Sequence, residues 1–273
     1  MGSWKYLGGA CATNGAQALD IQDPKFLEVL DDFVSVASFQ PVAKITSSAW
    51  TEHAPFAFWL VDILKPRCLV ELGVFRGFSY LAMCQAASTL NPRPRCYGVD
   101  NWRGDEHAGF YGEEVFKALK DYHDPLYSDF SQLIRSNFDA AASRFPDGSI
   151  DLLHIDGRHY YEDVKHDFET WQPKLSEQAI VLLHDTNVHA AEFGVWKFWK
   201  ELIGQYPSFE FFHGHGLGVL GCGCTIAPAV KRLLSSKDFE TANAIRSIYH
   251  RLGAFYSELE RLPEVTAQIE TTC

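Results

Sequence analysis

The chain has 273 residues, enough for one large α/β domain. Hydrophobic residues make up 47% and charged residues 22%, the balance of a soluble globular protein. The formal net charge is −11 and no Lys/Arg cluster forms a basic face, which excludes a protein that grips a nucleic-acid backbone.

Pro24 and Pro41 bracket a helix predicted around 26–36, and a second helix is predicted over 55–64, ended by Pro66. A rhythm of apolar runs and helices then begins. A short apolar run over 68–73, ending in Gly73, reads as a buried strand, and 78–89 as a helix. A second strand is predicted over 95–100, followed by a polar loop and a helix near 113–122. A weaker strand signal over 131–136 precedes a helix over 139–145 and a turn at Pro146, Asp147 and Gly148. The fourth strand covers 150–156, an amphipathic helix 160–172, the fifth strand 179–185, and an aromatic-rich helix 193–204. Two short strands over 209–212 and 217–220 are joined by a turn at 213–216. From Pro228 onward the pattern is mostly helical.

Strands alternating with helices imply a doubly wound α/β fold with helices on both faces of a mostly parallel sheet. The last two strands are too close for a helical crossover, so they pair antiparallel and complete seven strands. Three regions are expected: a helical cap over 1–65, the α/β domain over 66–225, and a helical extension over 226–273. Seven cysteines, with Cys68, Cys84 and Cys96 inside apolar runs, read as reduced thiols rather than a disulfide framework. Cys222 and Cys224 stand too alone for a zinc site. No apolar run approaches the roughly 18 to 20 residues of a membrane span, and the N-terminus lacks a secretion pattern. A cytoplasmic location is the expectation.

Ligands of such sheets bind at the carboxyl ends of the strands, where Glu71, Gly73, Asp100, Asp156 and Asp185 stand. Glu71, Gly73, Gly77 and Ser79 spell E-x-G-x-x-x-G-x-S. Glycines at that spacing let the backbone pass close to a ligand at a helix start. The dinucleotide pattern G-x-G-x-x-G is broken by Phe75, which argues against a pyrophosphate. Asp100 is placed to accept bonds from the ribose hydroxyls of a nucleoside, or to cap a turn. Trp102 could lie against an adenine or pack within its loop. Asp156 and Asp185 end neighbouring strands, and converging carboxylates either repel or share a cation. Trp50, Thr51, Glu52 and His53 read either as a cover of the pocket or as plain loop structure. The glycine-punctuated loop 103–112 has the makeup of a closing lid or of a plain loop. Phe193, Trp196, Phe198 and Trp199 read as core, and His213 and His215 as a plain turn.

The E-x-G-x-x-x-G-x-S run resembles the cofactor loop of catechol O-methyltransferase-like class I enzymes, which use S-adenosylmethionine (SAM) on a Rossmann-like sheet. That resemblance implies that Glu71, Gly73 and Ser79 face the methionine end of SAM, with Asp100 on the ribose and Ser136 and Asn137 beside the adenine. Residues 155–167 spell I-D-G-x-H-x-Y-E-x-V-x-x-D, followed by W-x-P-x-L and by His184-Asp185. This stretch resembles the sugar and antibiotic-tailoring O-methyltransferases, of the kind found beside or fused to glycosyltransferases of bacterial surface-polysaccharide synthesis.

In the catechol enzymes the equivalent carboxylates hold magnesium with an asparagine. Thr186 stands in place of that asparagine here, which leaves His184, Asn187 or water as the third ligand of a Mg²⁺ or Mn²⁺ ion on Asp156 and Asp185. His159 occupies the place of the family's base, and an imidazole near its ordinary pKa suits proton removal at neutral pH. The expected function is SAM-dependent O-methylation of a sugar or glycan hydroxyl. The alternatives are a tailoring enzyme for a phenol or natural product, and a non-catalytic module partnering a glycosyltransferase. A homodimer is left open.

Overall fold

The computed structural model describes residues 24–44, 48–190 and 192–261. The outer parts of the expected cap and extension, residues 1–23 and 262–273, lie outside them. In chain order the main elements are α1 (Pro24–Phe33), α2 (Ala54–Leu64), β1 (Cys68–Leu72), α3 (Phe78–Ser88) and β2 (Arg95–Asp100). A two-residue ribbon, β3 (Gly104–Asp105) with β4 (Gly109–Phe110), follows. Then come α4 (Glu113–Tyr127), β5 (Ser131–Arg135), α5 (Phe138–Ala142), β6 (Ile150–Ile155) and α6 (Tyr161–Trp171). The chain continues through β7 (Leu175–His184), α7 (Val195–Leu202), β8 (Ser208–Phe211), β9 (Leu217–Gly221), α8 (Pro228–Ser235) and α9 (Phe239–Arg261).

The main sheet has seven strands in the order β5-β2-β1-β6-β7-β9-β8. The first five are parallel, and β9 runs antiparallel to both β7 and β8. This is the Rossmann-like α/β arrangement expected from the element order. Its central strands are buried on both faces: all six residues of β6 are buried, including Asp151 and His154.

One core packs α1, α2, α3, α8 and α9 against one face, and a second packs α5, α6 and α7 against the other. In α2, Ala54 to Val61 and Leu64 are all buried, and a helix apolar all round must lie inside. Each large side chain there contributes on the order of 2 kcal/mol by leaving water. Lys65 closes α2 in the left-handed region at φ 45°, ahead of Pro66. The segments before β1 and after β9 meet through α1 with α9 and α8. They form one layer with α2.

Several boundaries differ from the sequence pattern. Helix α4 runs through Pro125 to Tyr127, because Tyr127 is buried and packs near Phe130. Strand β7 begins at Leu175, four residues before its apolar run, with a register shift against β6 between Ile150 and Leu152. The polar start of β7 has a reason in Asp151, whose Oδ1 accepts from Ser176 Oγ at 2.6 Å. Asp151 also accepts from the Arg67 backbone N–H at 2.7 Å, Arg67 Nε at 3.0 Å and Arg67 Nη2 at 2.9 Å. One buried carboxylate thus ties the starts of β1, β6 and β7. Among the described residues no helix is long and apolar enough to cross a membrane.

Burial opposes the charge of Asp151, but the Arg67 and Ser176 donors outweigh it and hold the carboxyl at about 2. A carboxylate lower in the folded than the unfolded chain stabilises above its unfolded pKa, near 4, and loses that effect as pH falls toward 2. Urea unfolding of the wild type should therefore weaken between about pH 4 and 2. Asp151→Asn should cost about 1–3 kcal/mol at pH 7 and flatten that dependence; an unchanged profile would remove Asp151 from this role.

Candidate active site

The parallel strands β2, β1, β6 and β7 end in register, Val99 beside Leu72, Leu72 beside Ile155, and Ile155 beside Leu183. Their carboxyl ends open onto one cleft of about 970 Å³. Gly73 leaves β1 at φ +89°, and a Cβ there would sit 2.0 Å from the Asp156 carbonyl oxygen. Only glycine lets these two strand ends approach so closely. Gly77, at φ +86°, opens α3.

Asp100 organises this loop. Its Oδ2 accepts from the backbone N–H groups of Val74 at 3.0 Å and Phe75 at 2.9 Å, and its Oδ1 from that of Trp102 at 2.7 Å. Burial pushes its carboxyl up, and these N–H bonds pull it back. A carboxylate has about four lone-pair sites, so capacity for a ligand hydroxyl remains. Trp102 is not where an adenine-stacking residue would be. It is fully buried, its indole donates to the Phe75 carbonyl at 3.0 Å, and its ring packs on Phe116 at 4.6 Å. The Asp100 bond turns the chain inward at Trp102, so the ring supports the loop from beneath. Ser136 and Asn137 do line the cleft, and Asn137 also caps α5 through Ala140 N–H at 2.8 Å.

Glu71 does not face the cleft. It is fully buried, accepts from Ser79 Oγ at 2.7 Å, and lies 3.1 Å from His154 Nδ1. Burial pushes its carboxyl up, against the pull of His154. The Trp50 indole, a donor only, reaches His154 Nε2 at 3.2 Å, so His154 carries its ring proton on Nδ1, toward Glu71. Trp50 and His53, read as pocket cover or plain loop, are buried under the site instead, while Glu52 lines the cleft.

Asp156, His184 and Asp185 bring one ligand atom each within 4.8 Å of one another. His184 Nδ1 lies 3.3 Å from both Asp156 Oδ1 and Asp185 Oδ2, and its Nε2 donates to the Gly214 carbonyl at 2.9 Å. His159 Nε2 lies 2.8 Å from Asp185 Oδ2 and 3.9 Å from Asp156 Oδ1. Asn187 turns away, bonding Phe212 O through its side chain and His215 O through its backbone. Of the residues considered for a third ligand, His184 is therefore the one in the cluster.

Burial opposes all these charges, yet mutual attraction holds Asp156 and Asp185 far below the carboxylate range and His184 far above the imidazole range. His159 is raised to about 9, because the two carboxylates outweigh its burial. The expected imidazole near its ordinary value is thus corrected: beside two uncompensated carboxylates, His159 holds its proton at neutral pH.

The sequence reading also missed His215, whose Nδ1 lies 3.1 Å from Asp185 Oδ1. The signal was the strand pairing, since His184 opposite Leu217 puts the 213–216 turn beside Asp185. Phe193, read as core, stacks on His159 at 4.8 Å, whereas Phe198 and Trp199 are core as expected. The 103–112 loop forms the cleft wall through Gly104, Asp105, Ala108 and Tyr111. Phe75, Trp102, Asp185 and His215, all around this site, have φ of 49°, 52°, 62° and 66°. Strained positions of this kind gather where a site over-determines its backbone.

Residues 70–186 match the family model described as a methyltransferase domain. An uncharacterized protein of Sinorhizobium fredii, y4gI, is 50% identical over 186 residues, 68% of this chain and 20% of that protein. The chain therefore spans about a fifth of the length of the curated relative it matches. Among solved structures, the O-methyltransferase TomG of Streptomyces achromogenes, involved in tomaymycin synthesis and in complex with SAM, is 12% identical. It covers 76% of this chain and 92% of its own, at TM-score 0.48. A Podospora anserina methyltransferase bound to S-adenosylhomocysteine is 15% identical, covering 72% and 87%, at TM-score 0.49. The matched methyltransferase stretch encloses Glu71 to Ser79, Asp100, Asp156, His159 and Asp185, and leaves Glu52, Gly214 and His215 outside it.

The Asp100 carboxylate holds the backbone of the Gly73–Ser79 loop in place. Asp100→Ala leaves three N–H groups without their acceptor and should lower stability by about 2–3 kcal/mol, read as a lower Cm in urea. A Cm within error of wild type would show that the loop holds itself.

Proposed function

We propose that the chain is a SAM-dependent O-methyltransferase that methylates a hydroxyl of a sugar or glycan with the aid of Mg²⁺ or Mn²⁺. One observation carries this reading: the Gly73–Ser79 loop with Asp100, and the cluster of Asp156, His184 and Asp185, open onto the same cleft.

The residues fit a divalent cation. His184 Nε2 is tied to the Gly214 carbonyl, which leaves Nδ1 facing both carboxylates. A metal-bound histidine is commonly fixed this way by its other ring nitrogen. Two carboxylates suit Mg²⁺ or Mn²⁺, and the imidazole tilts the set toward Mn²⁺. When bound, SAM supplies an electrophilic methyl group and the cation supplies Lewis acidity that lowers the hydroxyl's pKa.

The chain's own residues supply position and a proton acceptor. Gly73 and Gly77 let the loop backbone approach the cofactor closely, with Asp100 toward its ribose and Ser136 and Asn137 toward its base. Methyl transfer is an in-line displacement, and holding the acceptor oxygen about 3 Å behind the methyl accounts for much of the rate. His159 sits against Asp185 at the cluster. With the carboxylates' charge compensated, its ring sheds the proton it holds and can take one from the hydroxyl.

Ser48, Glu52, His215 and Ser257 make one wall of the cleft polar, which supports a polyhydroxylated acceptor. The rings of His107, Tyr160 and Phe193 around His159 favour the second reading, a phenol or natural product. A partnering or fused glycosyltransferase rests on the resemblance of the 155–167 run alone, since the far longer relative is uncharacterized. The intact cluster counts against a non-catalytic module. The free thiols of Cys68, Cys84 and Cys96 support a cytoplasmic location.

Mass spectrometry of products from SAM with nucleotide sugars, glycans and phenols should show a methyl increment on a sugar. Chelation should abolish turnover, and Mg²⁺ or Mn²⁺ should restore it. His159→Ala should lower kcat by roughly 10² to 10⁴ with SAM affinity retained. Full turnover in excess chelator would refute the cation, and turnover of His159→Ala within threefold of wild type would refute the base.

A further inference from the structure

The run 155–167 ends on an acid for which the chemistry above has no use. Asp167 stands on α6 and lines the same cleft, yet it is only 7% exposed. Among the described residues nothing donates a hydrogen bond to its carboxyl group. The groups around it are engaged elsewhere. His166 is 2.8 Å from Asp139, and Arg158 pairs with Glu106 at 2.9 Å and Asp163 at 3.4 Å. Burial raises the Asp167 carboxyl to about 7, with Asp163 and Asp139 adding to the rise and His166 opposing it. With no donor from the protein, the carboxyl oxygens open only onto the cleft, so the donor that completes them comes from what the cleft holds.

The position says which part of a ligand that donor belongs to. Asp167 Oδ2 lies 3.3 Å from where a side chain on Gly157 would begin, beside the ring edge of Phe138. The absent side chain at Gly157 lets the Phe138 ring edge, 2.6 Å from where that Cβ would be, pack beside the carboxyl at the cleft. Ser136, Asn137 and Phe138, which follow β5, and Gly157, which follows β6, bound the same part of the cleft. With the ribose of the proposed cofactor at Asp100, this is the end that faces its base.

Resting on the proposed cofactor, we infer that Asp167 is a specificity residue that accepts a hydrogen bond from the exocyclic amino group of the cofactor's base. An amino group on the purine offers the missing N–H. Above pH 7, with the carboxyl ionised, a 6-oxopurine would set a carbonyl oxygen against the carboxylate and leave both unpaired. Sites built around a buried hydrogen bond reject analogues that lack it far more strongly than apolar pockets reject a changed shape.

The test is calorimetric titration, above pH 8 so that the carboxyl is ionised, of wild type, Asp167→Asn and Asp167→Ala with S-adenosylhomocysteine and with S-inosylhomocysteine, its 6-oxo analogue. Wild type should prefer the adenine compound by about tenfold or more. Asp167→Asn keeps the side-chain size and brings an N–H₂ that can face the oxo group, so the preference should shrink about tenfold. Asp167→Ala should weaken the adenine compound about tenfold and also lose the preference. A purely structural carboxyl would move both affinities together and leave their ratio alone. A wild type without preference, or a folded Asp167→Asn whose ratio stays within twofold of wild type, overturns the inference. A wild type that binds neither compound overturns the cofactor reading itself, and the inference with it.

Discussion

Asp156 and Asp185 end adjacent parallel strands, so the sheet forces two carboxylates together in a place with little water. Like charges so placed must be compensated or one must take a proton. Here His159, His184 and His215 converge on them, at 2.8 to 3.3 Å from Asp185. The antiparallel hairpin is part of this compensation. Its turn carries His215, and its Gly214 carbonyl accepts from both His184 at 2.9 Å and His53 at 3.1 Å. A divalent cation would meet the same demand with one charge centre in place of two imidazolium rings. The charge requirement of the sheet edge and the proposed chemistry are thus one constraint.

The segments outside the α/β domain take part in the same site. The short 3-10 turn Thr51–His53 passes beneath the hairpin, with His53 stacked on His213 at 4.7 Å. Helix α9 holds that turn closely: a Cβ on Gly253 would sit 2.1 Å from the Glu52 carbonyl oxygen. Glu52 in turn accepts from His250 at 3.0 Å and Ser257 at 3.3 Å and faces the cleft. The wall beyond the carboxylates is therefore built by residues that flank the methyltransferase stretch.

The sheet and its carboxyl edge were legible because apolar runs ending in Gly73, Asp100, Asp156 and Asp185 report both a strand and its exit. The partners of those residues were not. His154 sits in an apolar strand and reads as core until Trp50, about a hundred positions earlier, is brought to it. Asp100 and Trp102 look like two ligand residues in sequence; a hydrogen bond from the Trp102 backbone N–H to the Asp100 carboxylate turns the ring inward. Asp167 lies on an amphipathic helix and reads as one more polar position on its outer face. The starts of β7 and the β3–β4 ribbon escaped because Ser176, Gln178 and Asp105 stabilise them through polar bonds, for which apolar periodicity has no signal. The missing information is a specific contact, distant in sequence for Trp50 with His154 and between near neighbours for Asp100 with Trp102, rather than a residue preference.

The central claim is that Asp156, His184 and Asp185 form a cation site at the edge of a SAM pocket. The most direct measurement is a crystal structure of the chain with Mn²⁺ and S-adenosylhomocysteine, using anomalous scattering to locate the metal. The account predicts one manganese peak bonded to a carboxylate oxygen of Asp156, a carboxylate oxygen of Asp185 and His184 Nδ1, with the nucleoside running from it past Asp100. A cluster with no manganese peak, His184 still pairing with both carboxylates, would contradict it.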